Sequence, residues 1–229
     1  MARRRWKHPA MLVCGLAVLA AAFSPPLDSL ADRFFAAHMF QHLLLMFAAA
    51  PLLVAARPWQ PEAYPLPQAW AERLAAVRDR CARILRGAAF MLHQGVALVI
   101  STAVLWIWHI PALYDLALVH EPVHVAEHLS FIAAFALFWR PLFAGDGRSG
   151  GLASNLSRAV YLVASAMQGS LLAALITFSD RVVYRAYLAI PHPRALPALA
   201  DQQLGGAIMW FSGALCYAVV AGLAMRSRE

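Results

Sequence analysis

The 229-residue chain is poor in charge: only 14% of its residues are Asp, Glu, Lys or Arg, against 62% hydrophobic residues. A soluble domain carries more charge than that, so the balance points to an integral membrane protein. Cysteine is scarce as well. Cys14, Cys81 and Cys216 form no CxxC or CxxxC pair, which excludes a disulfide framework and a thiolate metal site. No nucleophile elbow, internal repeat or low-complexity segment occurs. The net charge of +7 does not indicate nucleic acid, because the basic residues lie in short segments between apolar runs rather than in a patch interleaved with aromatics.

What the chain has is long apolar runs. Residues 34–56 contain no acidic or basic side chain and are long enough to cross a bilayer as a helix. Further runs of near-spanning length cover residues 88–108, 123–139, 159–178 and 204–224. A shorter run at 10–23 has the basic start and alanine-rich end of a signal peptide. Trp6 and Pro9 extend it to near-spanning length, and the retained-helix reading is adopted. The expectation is an all-α integral membrane bundle of about six spanning helices in one domain. A basic loop at about 57–87 holds a partly amphipathic stretch, around 70–86, that lies along the membrane surface.

Orientation follows from the cations. With the N-terminus in the cytoplasm, 15 of the 19 basic residues fall inside, and Arg33, Arg181, Arg185 and Arg194 outside. This sorts the nine histidines. His38 and His42 occupy the outer half of the second span, at i, i+4 spacing and therefore on one helical face. His109 ends the third span, beside Trp106 and Trp108. The segment PALYDLALVHEPVHVAEHLS is read as a loop entering the fourth span, where His120, His124 and His128 recur every four residues around Glu127. Asp201, Gln202 and Gln203 precede the sixth span in the same layer, and Gly205–Gly206 behind them allow close helix packing.

Imidazoles inside a membrane helix are costly unless paired or bound. Two HxxxH edges at one depth supply four, His38, His42, His124 and His128, enough to hold a metal ion. A structural or proton-linked polar network is the plainer alternative. Copper suits imidazole, and a thioether from Met39, Met46 or Met209 favours its reduced form. Glu127 then serves as a second-shell group, His120 and His109 as additional donors, and Asp201, Gln202 and Gln203 as a gate or partner contact. His93 lies too deep to join them and is expected to bond between helices. His8 and His192 are expected at the surface.

HMFQHLLLMFAAAPLL, WHIPALYDLAL with HEPVHVAEHLSFI, and DQQLGGAIMW, in that order, resemble signatures of the CtaG family of cytochrome c oxidase assembly factors. The match runs from about His38 to Trp210. Members of that family are usually described with seven spans, one more than counted here, the difference falling at the N-terminus. The resemblance implies a non-enzymatic, multipass protein of the bacterial plasma membrane that matures a haem–copper oxidase, plausibly by copper delivery. Its partners would be an oxidase subunit or other assembly factors, besides the bilayer. Two other readings of the residues stay open: a zinc-dependent intramembrane hydrolase with Glu127 as general base, and a haem or quinone pocket using two facing histidines.

The charge distribution makes a direct prediction. A topology reporter fused after His120 reads as periplasmic and one fused after Arg78 as cytoplasmic. The reverse pattern would put the histidines on the other face.

Overall fold

The structure is a computed structural model that describes residues 7–143, 152, 154–191 and 196–226. Among these the chain is helical, with no strand: α1 (Lys7–Ala22), α2 (Pro25–Ala31), α3 (Phe35–Ala56), α4 (Gln68–Ile84), α5 (Gln94–Trp108), α6 (Pro111–Val119), α7 (Glu121–Phe143), α8 (Asn155–Thr177) and α9 (Ala198–Arg226). Four of them, α3, α7, α8 and α9, are long and apolar enough to cross a membrane. Two further apolar stretches are bent pairs: α1 and α2 meet at 52°, α5 and α6 at 72°. The described residues therefore hold four candidate spans, or six, the number expected from the apolar runs, where each bent pair is one broken span.

The α1–α2 bend and the π turn inside α3 each have a proline cause and a side chain that repairs it. Pro25 and Pro26 remove the N–H groups that would serve the Ala21 and Ala22 carbonyls. The Ser24 hydroxyl donates to Ala21 O at 2.7 Å, and the Gln41 amide donates to Ala22 O at 2.9 Å and to Asp28 Oδ1 at 3.0 Å. Gln41 thereby ties the α1–α2 elbow to α3. Within α3, residues Leu44–Ala49 widen into a π turn, with Ala50 N–H donating to Leu45 O. The next bond in that register would need an N–H from Pro51, so the Met46 carbonyl is orphaned. The Trp139 indole of α7 donates to it at 2.8 Å.

α3 is the central helix: 56% of its membrane window is buried, against 39%, 33% and 28% for α7, α8 and α9. α1 and α7 pack on its C-terminal half, α9 on its N-terminal half, α5 against α7, and α8 along α9. Gly205 is required where α9 meets α3, and Gly206 where it meets α8. A Cβ on Gly205 would collide with the Phe35 ring and approach Ala36 Cα to 3.2 Å, and one on Gly206 would stand 2.5 Å from Thr177 Oγ1. Below the histidines, Phe131, Phe135, Phe138, Trp139, Tyr161 and Tyr217 form an aromatic core.

Four expectations need correction. PALYDLALV is not a loop: Pro111 occupies the first turn and its rigid φ starts α6. The third span begins at Gln94 rather than residue 88. His93, in extended conformation (φ −68°, ψ 134°), accepts the Gly95 N–H at 3.2 Å and restarts the helix as an N-cap. His93 is exposed there and is not an interhelical bonder. His8 is half-buried, its Nδ1 3.1 Å from Ala55 O, while His192 lies outside the described residues. The helix expected in the basic loop is present as α4.

Trp139→Phe keeps an aromatic ring but strands the Met46 carbonyl in the core. The expected cost is about 1–3 kcal/mol, read as a lower unfolding midpoint in detergent. An unchanged midpoint would mean that the π turn satisfies itself.

Candidate metal centre

α3 and α7 cross so that residues 38 and 42 of one face residues 124, 127 and 128 of the other. The i, i+3, i+4 pattern of α7 puts His124, Glu127 and His128 on one stripe, and Phe131 continues it. His38, His42 and Glu127 are essentially inaccessible, with relative exposures of 1%, 1% and 0%. His128 is buried at 5%, and His124 is half-buried at the rim.

The donor atoms converge. His38 Nε2 and His42 Nε2 are 2.8 Å apart. Glu127 reaches to 3.7 Å from His42 Nε2 and 4.0 Å from His38 Nε2, in neither case a hydrogen bond. The ring centroids of His38 and His124, and those of His42 and His128, are 5.1 Å apart. Two sets of donors lie within 4.8 Å of one another, His38 with His42 and His128, and His38 with His124 and Glu127. His38 belongs to both. Two nitrogens on one tetrahedral ion at about 2.0–2.1 Å stand about 3.3 Å apart, so the donors of either set are close enough for an ion to draw together.

The cluster is also unsatisfied. Among the described residues, both carboxylate oxygens of Glu127, Nε2 of His124 and of His128, and Nδ1 of His42 are buried without a hydrogen-bond partner. Leaving such groups unpaired costs on the order of 1–3 kcal/mol each, more for a charged one. Of the two roles open to Glu127, additional ligand or second-shell group, its place in a donor set fits the first.

The remaining candidates separate. His109 is buried at 6%; its Nδ1–H donates to Leu105 O at 2.7 Å, and its Nε2 has no partner, but it belongs to neither donor set. His120 is exposed at the α6–α7 junction and also belongs to neither. Met46 and Met209 line a separate cavity of about 30 Å³ that no histidine borders. Met39 is packed in the hydrophobic core.

Asp201, Gln202 and Gln203 hold backbone. The Asp201 carboxylate accepts the N–H groups of Phe35 at 2.7 Å and Ala36 at 3.1 Å, capping α3 from α9 where the N-cap residue Phe34 has no side-chain cap of its own. Gln202 accepts Val183 N–H at 2.6 Å and donates to Arg181 O at 3.2 Å. Gln203 donates to Ser179 O at 3.0 Å. These bonds, with Asp115 accepting the N–H groups of Arg185 and Ala186 at 3.2 Å, seat a strap between α8 and α9.

That strap carries residues which the sequence reading missed. Tyr184 and Tyr187, on or beside the 3₁₀ turn Arg185–Ala189, are buried at 1% and 2%, and Tyr114 of α6 at 1%. Tyr184 stacks on Phe35 at 4.8 Å and donates to His109 O at 3.3 Å. The Tyr187 hydroxyl lies 3.4 Å from His38 Nδ1 and 3.2 Å from the Tyr114 hydroxyl. Two tyrosines three apart in the short connector between two apolar runs were the available signal.

Fold and cluster together define a polytopic helical membrane protein with a buried group of imidazole and carboxylate donors able to hold a metal ion. The family model for the cytochrome c oxidase caa3 assembly factor matches residues 1–228, and the chain belongs to that family. Comparison with curated proteins and with solved structures found no significant match in either. Membership makes the protein an assembly factor of cytochrome c oxidase, working with the oxidase or its assembly machinery.

Because Asp201 caps a helix instead of touching the cluster, Asp201→Ala should lower stability by about 2 kcal/mol, the value of charge-assisted bonds to two N–H groups. Metal stoichiometry, by elemental analysis of the folded fraction, should stay at the parent value. A loss of metal from fully folded variant protein would return Asp201 to the site.

Proposed function

We propose that the cluster of His38, His42, His124, Glu127 and His128 binds a copper ion as cargo and that the protein assists its insertion into a haem–copper oxidase. The observation that carries this reading is the convergence of buried donors from α3 and α7, five of whose atoms have no protein partner. In a low-dielectric interior such a group is stable only if something else completes it. The residues fit copper on their own chemistry. Imidazole nitrogens are borderline donors suited to copper, the one carboxylate is a harder donor, and zinc is the nearest competitor for the same set.

The chain's residues have separable parts in this reading. His124, half-buried beside the exposed His120, forms the approach from the aqueous side. His38, His42 and Glu127 are the enclosed end. Phe131, whose ring centroid is 4.7 Å from that of His42, and Phe23, 5.3 Å from His128, exclude water around the imidazoles. The basic-residue bias orients the cluster toward the outer face of the bacterial plasma membrane. Family membership supports assembly rather than catalysis as the task.

A double substitution tests the proposal. If the four imidazoles act as one unit, His38→Ala weakens copper binding by orders of magnitude, and adding His124→Ala costs much less than it would alone, since residues sharing one site are not additive. Both variants should insert and fold, because alanine favours the helix. In cells the oxidase should be made but under-metallated, and added copper should rescue weaker variants by mass action. The proposal is falsified if the double variant binds copper and matures the oxidase like the parent.

A further inference from the structure

The strap between α8 and α9 reaches the cluster through one atom, the Tyr187 hydroxyl. That oxygen has one proton to give and two lone pairs. It donates to Ala31 O at 3.3 Å, a carbonyl that can only accept. With its proton there, the Tyr114 hydroxyl at 3.2 Å and His38 Nδ1 at 3.4 Å are left to donate to it, and the Ala31 carbonyl, which also hydrogen-bonds the His38 ring, favours the same proton position. His38 therefore carries its proton on Nδ1 and turns a bare Nε2 lone pair toward His42, 2.8 Å away. The opposite bond follows: His42 Nε2–H donates to His38, and His42 Nδ1, deprotonated, has no partner, as observed. His38 is the one residue common to both donor sets, so its tautomer governs the whole cluster.

Building on the metal-binding reading above, we propose that Tyr187 is a positioning residue: its hydroxyl fixes His38 as the Nδ1–H tautomer and so presents Nε2 to a copper-class cation whenever the strap is seated. The strap is built to hold that position. Asp115 takes the N–H groups of Arg185 and Ala186 at the start of the 3₁₀ turn, and Gln202 takes that of Val183. Tyr187 is thus anchored from α6 and from α9, neither of which supplies a ligand. A ring nitrogen held by an outer hydrogen bond is how ligating histidines are generally oriented, and loss of such a bond typically costs 10–100-fold in metal affinity.

The test uses the full-length protein in detergent with ¹⁵N-labelled histidine. Long-range ¹H–¹⁵N spectra of the metal-free parent should show the His38 proton on Nδ1; a proton on Nε2 overturns the inference with no variant needed. In Tyr187→Phe the ring should become a mixture of tautomers, and copper(I) affinity, by competition with a chromogenic chelator, should fall about 10–100-fold. Tyr184→Phe is the control, since its hydroxyl bonds the His109 carbonyl from the same strap. It should loosen the strap comparably yet keep the parent's His38 tautomer and affinity. Equal effects of the two variants on tautomer and affinity would reduce Tyr187 to packing and overturn the proposal. If the tautomer shifts in Tyr187→Phe but the parent itself binds no copper, the tautomer assignment stands and it is the copper reading that fails.

Discussion

The interaction on which the rest of this structure depends is the meeting of α3 and α7 through polar side chains where a membrane bundle would ordinarily use apolar ones. Four imidazoles and a carboxylate face one another across that seam, and five of their donor atoms have no protein partner. In an interior of low dielectric, each unpaired polar atom works against folding. The arrangement persists because the surrounding elements over-determine it. Asp201 pins the start of α3 three residues before His38, Trp139 pins the π turn just beyond His42, and an aromatic layer packs beneath.

The bends serve the same end. Straight α1–α2 and α5–α6 rods would leave the cluster open at its end of the bundle. Their 52° and 72° elbows instead fold Phe23, Tyr114 and the α2–α3 junction over it. A proline elbow inside a membrane protein exposes carbonyls that lipid cannot satisfy. Ser24 and Gln41 meet that cost at the first elbow, and Trp139 meets the equivalent one in α3. The same side chains that heal the backbone therefore hold α1, α3 and α7 in register around the site. Repair and positioning are one set of contacts.

How much of this was legible in the sequence differs by element. α3, α7, α8 and α9 are visible as apolar runs, though each of the last three extends beyond its run because polar ends such as the Ser154–Ser157 capping box are helical too. The i, i+4 histidine pairs and the neighbouring Glu127 were legible because helical spacing alone puts them on one face. α6 was not, since PALYDLALV is too short for a span and too apolar for an ordinary connector. His93 was misplaced for the complementary reason: an apolar window cannot show that a histidine leaves the helix to cap it. DQQ read as a gate because its depth was right, but depth does not reveal that Asp201 and Gln202 are already engaged by backbone N–H groups.

The sequence by itself determined the class of protein, the number of apolar rods and which histidines share a helical face, because these follow from composition and from the period of the helix. Only the tertiary structure decided that the two faces meet, that Glu127 stands among the donors rather than behind them, and that Tyr187 comes from 149 residues away to touch His38. Those facts depend on helix crossing and on elbow angles. These are set by proline position, by the missing side chains of Gly205 and Gly206, and by hydrogen bonds between residues remote in the chain. No local pattern records such contacts, since each becomes favourable only after its partners are in place.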